Sequence, residues 1–221
     1  MGEGRFAGRA CLLVRFAGCN MNCSYCDTKY AKQPANEKVV DIEDLLDIIT
    51  KNTYVEDIVL LTGGEPLLQI PVIDEIIHTV GNDITIETNG SIDLGKINYI
   101  GVEHICMDIK SPSSNPDLDW KKYGNQVFEN LGYLGEEDDV KFVINSEEDW
   151  KWLVKNFFIY YDSSTGIQYY ISHTENFPFN RLWEKFVKEV KLHQKNVRIQ
   201  TQLHKVAFKN GQKEGKINKI I

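Results

Sequence analysis

Cys19, Cys23 and Cys26 place three thiols within eight positions, in the segment GCNMNCSYCDT spanning residues 18–28. The spacing is C-x3-C-x2-C. Structural zinc is closed and tetrahedral and needs four ligands, normally as two close pairs. A fourth ligand would have to be Cys11, which sits inside an apolar run, or a distant histidine. A redox pair of Cys23 and Cys26 would leave Cys19 without a role. Three unrelated buried cysteines fit poorly on a loop rich in Gly and Asn. Three thiolates do suit three irons of a four-iron, four-sulfur (4Fe–4S) cluster, with the fourth iron left open to a ligand.

The segments that must position such a loop are short, apolar and β-branched. They are CLLVRF (11–16), DIVLL (57–61), DITIE (83–87), HICMDI (104–109), VKFVI (140–144), QYYIS (168–172) and VRIQTQL (197–203). Each is too short for a helix and fits a buried strand. Helical patterns alternate with them. Residues 41–52 align Ile42, Leu45, Leu46 and Ile49, with Asp41 as cap. Residues 70–81 align Ile73, Ile76, Ile77 and Val80 and stop at Gly81. Residues 146–158 start from Ser146 as N-cap, and 180–193 repeat Leu182, Phe186 and Val190. Strand then helix, repeated, predicts an α/β fold with a mostly parallel sheet. No linker divides the 221 residues, so one domain is expected over 1–221, with 209–221 as a loosely ordered tail.

Ligands of parallel α/β folds sit at the carboxyl ends of the strands. Polar, Gly-rich segments fall there: the cysteine loop after the first strand, TGGEP after the second, TNGS after the third, KSPSSN after the fourth and HK after the last. One shared site is predicted. Arg15 interrupts the first strand. A charge there must be paired or near a site, so it meets either a substrate carboxylate or a core carboxylate.

With Lys+Arg 25 against Asp+Glu 32, the net charge of −7 argues against a general electrostatic grip on nucleic acid. No stretch reaches the roughly 18 uncharged apolar residues of a membrane helix, and no secretory signal opens the chain. Five cysteines, three of them clustered, do not form a secreted disulfide framework. A reducing, cytoplasmic setting is expected.

C-x3-C-x2-C after the first strand, an aromatic residue before its last cysteine, and TGGEP after the second strand together resemble the radical S-adenosylmethionine (SAM) superfamily. Within it, GEG (2–4), VRFAGCN, CDT, TGGEPLLQ, ETNGS, DIKSPSSN and QLHK resemble the 7-carboxy-7-deazaguanine synthase family, from the first residues to Lys205. The resemblance implies a shortened partial (β/α) barrel with fewer helices than the full form. It implies a lyase that converts 6-carboxy-5,6,7,8-tetrahydropterin to 7-carboxy-7-deazaguanine with loss of ammonia, on the way to queuosine-type 7-deazapurines. Reductive cleavage of SAM to a 5′-deoxyadenosyl radical, hydrogen abstraction at the pterin C6 and regeneration of SAM are implied as well. So are Mg2+, a homodimer and a flavodoxin or ferredoxin as electron donor.

Residue by residue, the resemblance implies cluster ligation by Cys19, Cys23 and Cys26. It implies SAM contacts from Tyr25, Asp27, Gly64, Glu65, Glu87, Asn89, Asp108 and Lys110, and a Mg2+ contact from Thr28. Pterin contacts fall to Glu3, Arg15, Thr62 and His204. By residue type alone, Glu65 before Pro66 also reads as a helix N-terminal charge, Asn89-Gly90 as a turn, and Thr28 as a cap. Family members carry Gln-Gly-Glu-Gly where this chain has Met1-Gly2-Glu3-Gly4; either that segment is absent or the recorded start lies too far downstream, so the Gln contact is not assigned, and the long tail carries no assigned substrate contact. A glycyl-radical activating enzyme has similar cysteine spacing, but KSPSSN and QLHK disfavour it. A non-catalytic zinc module would be colourless and hold about one zinc.

Overall fold

The computed structural model describes residues 1–32, 39–55, 57–158, 163–190 and 196–207. The apolar runs form β1 (Cys11–Phe16), β2 (Ile58–Gly63), β3 (Asp83–Thr88), β4 (Val102–Ile109), β5 (Asp139–Ile144), β6 (Gln168–His173) and β7 (Val197–Ile199). They lie in one sheet in chain order, every neighbouring pair parallel. Right-handed crossovers between strands in strict order carry every connection to the same face. The sheet is therefore a partial barrel, open between β1 and β7.

The strands are not buried alike on both faces. Val14, Val59, Leu61, Ile84, Ile86, Ile105, Met107, Val140, Phe142 and Ile171 point outward and form the core. Each such side chain contributes about 1.5–3 kcal/mol when fully buried. The helices cover them: α1 (Ile42–Asn52), α2 (Ile70–Thr79), α3 (Trp120–Leu131), α4 (Glu147–Leu153) and α5 (Phe179–Glu189). The alternate residues Arg15, Thr62, Glu87, Asp108, Lys141 and Ser172 fall on the inner face, as the period-two alternation of a strand requires. Register confirms this, since Arg15 pairs with Thr62 and Asp108 with Lys141. Arg15 is thus half-buried on the inner face rather than embedded in the core.

Several local expectations change. Asp41 stands at the N-cap of α1 but its side chain caps nothing; with Glu43 and Asp44 it supplies only negative charge at the helix N-terminus. Ser146 does cap α4, its hydroxyl accepting from the Asp149 amide. The predicted helix over 146–158 stays α-helical only to Leu153 and widens to a π turn over Val154–Phe158. The last strand stops at Ile199, and a short helix α6 (Leu203–Ala207) carries His204 and Lys205. Beyond the strand the Leu203 amide donates to the Gly2 carbonyl (3.0 Å). The tail expected over 209–221 lies outside the described residues.

The connection from β3 to β4 holds only a single 3-10 turn, Leu94–Lys96. Asn130 of α3 fills the place of a helix there. It is fully buried. Its Nδ2 donates to the Gly90 (3.0 Å) and Ile92 (2.8 Å) carbonyls, and its Oδ1 accepts from the Leu94 amide (3.0 Å). Asn130→Ala is expected to cost about 3 kcal/mol, because three backbone groups lose their partner. Urea unfolding checks this, and a cost below about 1 kcal/mol would show that water replaces the amide.

Candidate active site

The cysteine loop leaves β1 and is fastened at once to the end of β2. The Gly64 amide donates to the Phe16 carbonyl (2.9 Å), and the Glu65 amide to the Gly18 carbonyl (2.8 Å). Gln69 Nε2 adds a bond to the Ala17 carbonyl (3.1 Å). The strand ends approach so closely that a Cβ on Gly64 would lie 1.9 Å from the Gly18 oxygen. The Gly-Gly pair is therefore a steric requirement of bringing the two loops together. On the other flank, the Ser24 amide donates to the Ser114 carbonyl (2.8 Å), joining the cysteine loop to the KSPSSN loop. That loop is held in turn by Asp149, whose carboxylate accepts from the hydroxyls of Ser111 and Ser113 and from the Asn145 amide (2.8 Å).

Cys19, Cys23 and Cys26 are free thiols and partly buried. Burial pushes the Cys19 and Cys23 thiols up. Ligation to a metal group offsets that cost and releases the protons. Among the described residues no three His, Cys, Asp or Glu side chains converge tightly enough to hold one metal ion. Amide donors lie near the Cys19 sulfur, the Met21 N–H at 3.4 Å and Asn89 Nδ2 at 3.9 Å. Donors of this kind tune an iron–sulfur group. The donor set and its surroundings fit a 4Fe–4S cluster. A recess of about 660 Å³ opens beside Cys19, within the range of small-ligand sites.

Glu65 occupies the centre of the strand-end network and is fully buried. It caps the 3-10 turn Pro66–Gln69, its Oε1 accepting from the Leu67 amide (3.0 Å) and from the Thr88 hydroxyl (2.8 Å). Its Oε2 accepts from the Asn89 amide (2.7 Å). Burial pushes its carboxyl up to about 7, against these three donors. The capping and site readings of this residue are both met, because one carboxylate ties the end of β2 to the end of β3. Tyr123 does the same for β3 and β4, donating to the Asn89 carbonyl (2.9 Å) and accepting from the Lys110 amide (3.0 Å). Asn89 forms the expected turn, with its Oδ1 on the Ser91 amide (2.9 Å) and Gly90 at φ 72°.

The inner face carries a chain of opposite charges. Lys110 pairs with Asp108 (2.8 Å), Asp108 with Lys141 (3.2 Å), and Lys141 with Glu3 (3.1 Å). Glu3 also accepts from the Ser172 hydroxyl (2.7 Å) and Gln202 Nε2 (3.0 Å). Burial opposes the charge on both lysines, but Asp108 beside Lys110, and Glu3 with Asp108 beside Lys141, hold the ammonium groups well above their ordinary values. The segment before β1 is drawn into the barrel by these contacts. Its Gly4 amide donates to Gln200 Oε1 (2.9 Å), and Arg5 binds Asp139 through its amide and Nε, both at 2.9 Å.

Burial pushes the Glu3 carboxyl up, but Lys141, then Gln202 and Ser172, outweigh it and lower the group from 4.5 to about 2. A depressed carboxylate stabilises the fold above its unfolded value and loses that stabilisation as pH falls through the folded value. About 3 kcal/mol should therefore disappear between pH 4.5 and pH 2. Urea midpoints across that window should fall steeply for the wild type and less for Glu3→Gln. Parallel curves would place the acid sensitivity elsewhere.

The structure thus brings together Glu3, Thr62, Glu87, Asp108 and Lys110 on the inner face, beneath the loops carrying the cysteines, Gly64, Glu65 and Asn89. Thr62 donates to Glu87 Oε2 (2.9 Å), so the two act as one unit. Arg15 lies 5.7 Å from the Tyr30 ring centre. The Lys110 ammonium lies 5.6 Å from the Tyr25 ring centre, a cation–π distance. Asp27 pairs with Lys205 (3.8 Å) across the open side of the barrel. Thr28 stands at an N-cap position without capping, its hydroxyl 3.7 Å from the Cys26 sulfur. The side chain of His204 lies outside the described residues. Lys141, Ser172, Gln200 and Gln202 were not singled out in the sequence. For Lys141 and Ser172 the available signal was a polar residue at the inward position of an otherwise apolar strand.

Comparison with known proteins follows the same lines. A model described as the radical SAM superfamily matches residues 13–160. The chain is 34% identical over 223 residues to a 7-carboxy-7-deazaguanine synthase of Clostridium acetobutylicum, covering 97% of this chain and 94% of that protein. A synthase of the same name from Thermoplasma acidophilum is 31% identical over 209 residues, covering 94% and 92%. One from Chlorobaculum tepidum is 31% identical over 212 residues, covering 92% and 88%. Among solved structures, native anSMEcpe with bound AdoMet superposes with a TM-score of 0.53 at 12% identity, over 89% of this chain and 66% of that one. That likeness concerns the fold alone.

Proposed function

Because the chain belongs to the radical SAM superfamily and, within it, to the 7-carboxy-7-deazaguanine synthase family, we propose a specific division of labour for its site. The protein is a radical SAM lyase that converts 6-carboxy-5,6,7,8-tetrahydropterin to 7-carboxy-7-deazaguanine with loss of ammonia. It uses an iron–sulfur cluster and SAM, acts on a small molecule and takes electrons from a donor. One observation supports the division of labour above the others. A three-cysteine loop is clamped by Gly64 and Glu65 directly above an inner face of alternating charges.

Cys19, Cys23 and Cys26 would hold the cluster, which with SAM supplies the one-electron chemistry that starts the reaction. Gly64 and Glu65 set the height of the cysteine loop over the barrel. Asp108 and Lys110 offer SAM a carboxylate and an ammonium, and Glu87 and Asn89 offer its ribose acceptors and donors. The pterin lies deeper, with Thr62 and Glu3 at its ring edges and Arg15 at its carboxylate. A guanidinium binds a carboxylate through two parallel hydrogen bonds, and Arg15 lies on the inner face opposite Thr62. Mg2+ bound at Thr28 would complete the carboxylate's shell, since Mg2+ keeps few protein ligands plus water and substrate oxygens. A flavodoxin or ferredoxin as donor, a homodimer and a cytoplasmic setting complete the proposal. No helix of the described residues is long and apolar enough to cross a membrane.

Arg15→Ala is expected to raise the KM for the pterin roughly 100-fold, the scale of a charge-assisted hydrogen-bonded pair, with SAM cleavage in the absence of pterin unchanged. An unaltered KM would move the carboxylate elsewhere. The overall reaction is tested with SAM limiting. Product should exceed the SAM supplied, because 5′-deoxyadenosine gives the abstracted hydrogen back and SAM is re-formed. Stoichiometric release of methionine and 5′-deoxyadenosine without product would refute it.

A further inference from the structure

Lys141 lies at the middle of the charge chain and has no role in the family resemblance. It sits on β5 at the register position opposite Asp108 of β4. Its side chain is 9% exposed, and its ammonium reaches Glu3 Oε2 at 3.1 Å and Asp108 Oδ2 at 3.2 Å. Glu3 arrives from the segment before β1, 138 positions away in sequence. Asp108 continues to Lys110, whose amide is fixed by Tyr123. One ammonium therefore joins the segment that faces the pterin to the strand end that faces SAM. Without it, Glu3 and Asp108 would be two carboxylates confronting each other in a site too dry to keep both charged. The other donors to Glu3 are neutral, Ser172 from β6 and Gln202 from the segment after β7.

We propose that Lys141 is a positioning residue that sets the distance and orientation between the pterin and SAM by tying Glu3 to Asp108. It touches neither ligand and works through the two carboxylates. This inference rests on the assignment of pterin to Glu3 and of SAM to Asp108 and Lys110. The same charge length on a different head should work in part. An arginine at 141 keeps the cation but spreads it over a planar fork, so it holds both carboxylates at altered distances.

The test compares Lys141→Met, Lys141→Arg, Glu3→Gln and the Met/Gln double variant, all reconstituted with iron and sulfide. Lys141→Met should still cleave SAM without pterin. Its KM for the pterin should rise roughly 10- to 100-fold, and product per SAM cleaved should fall by at least about tenfold. Lys141→Arg should recover a large part of both losses. The double variant should be no worse than the worse single one, because both remove the same link. A second readout needs no activity. Amide hydrogen exchange in residues 2–5 should accelerate in Lys141→Met, because Glu3 no longer anchors the Gly4 amide on Gln200. Multiplied losses in the double variant, loss of SAM cleavage with product, or wild-type kinetics in Lys141→Met would each overturn the proposal. If the wild type itself makes no product while exchange at residues 2–5 responds to Lys141→Met, the substrate assignment fails and the structural link survives.

Discussion

Cys19→Ala, Cys23→Ala and Cys26→Ala should each yield a folded protein that has lost the brown colour of reconstituted iron and cleaves no measurable SAM. The loss should be about 10³-fold or more, as for groups that act only as a set. None of the three belongs to the buried apolar core, since all are partly exposed on a loop, so the fold should survive. Cys11→Ala and Cys106→Ala provide the contrast. Cys11 opens β1, and Cys106 lies within β4 and is buried. Removing either sulfur leaves the cysteine loop and its clamps intact, so colour and SAM cleavage should persist. Iron content and 5′-deoxyadenosine release measure the outcome. Equal loss in all five variants would mean general destabilisation. Retention in any of the three would remove that cysteine from the cluster.

Gly64→Ala should be nearly as damaging, although it removes no chemical group. The added Cβ would lie 1.9 Å from the Gly18 oxygen, 2.6 Å from its carbon and 3.0 Å from the Cys19 Cβ. The first two are backbone atoms, so no side chain can swing away. The cysteine loop and β2 must separate, and the bonds from Gly64 to Phe16 and from Glu65 to Gly18 go with them. Overpacking and two lost hydrogen bonds together cost about 3 kcal/mol. Cys19 is displaced in the same movement, so cluster incorporation should fall with stability. Gly124, within α3, would meet nothing within 4 Å. The same change there should stabilise by about 0.5–1 kcal/mol, because alanine is the better helix former. Thermal unfolding of the two variants, with iron content, checks both signs. A Gly64→Ala protein with wild-type stability and iron would show that the two loops are not clamped together.

The strands were legible because apolar, β-branched runs of four to eight residues have few other uses in a soluble chain. Their two faces were less legible. Arg15 stands out as an intruder in β1, whereas Lys141 in VKFVI is one polar position in an otherwise apolar run. Only the parallel register, which sets Lys141 opposite Asp108, reveals a continuous polar inner face. Glu3 was assigned by likeness, but its partners Lys141, Ser172 and Gln202 are 138, 169 and 199 positions distant, and no local pattern carries such pairings. Helix α3 was missed because its buried side chains are Tyr123, Val127 and Asn130, a mixed stripe with Gly124 inside it. Asn130 there serves the turn between β3 and β4, a tertiary need that overrides amphipathic patterning. Glu65 and Gly64 were legible as a motif. Their physical reasons, a carboxylate with three donors and a missing Cβ, required the approach of two strand ends.

The most direct test is anaerobic conversion. The protein is reconstituted with iron and sulfide, then given SAM, dithionite, Mg2+ and 6-carboxy-5,6,7,8-tetrahydropterin, and the mixture is examined by mass for 7-carboxy-7-deazaguanine. Product in the wild type, absent when any of the three loop cysteines is alanine, is the expected result. A brown protein that cleaves SAM but leaves the pterin unchanged would contradict it.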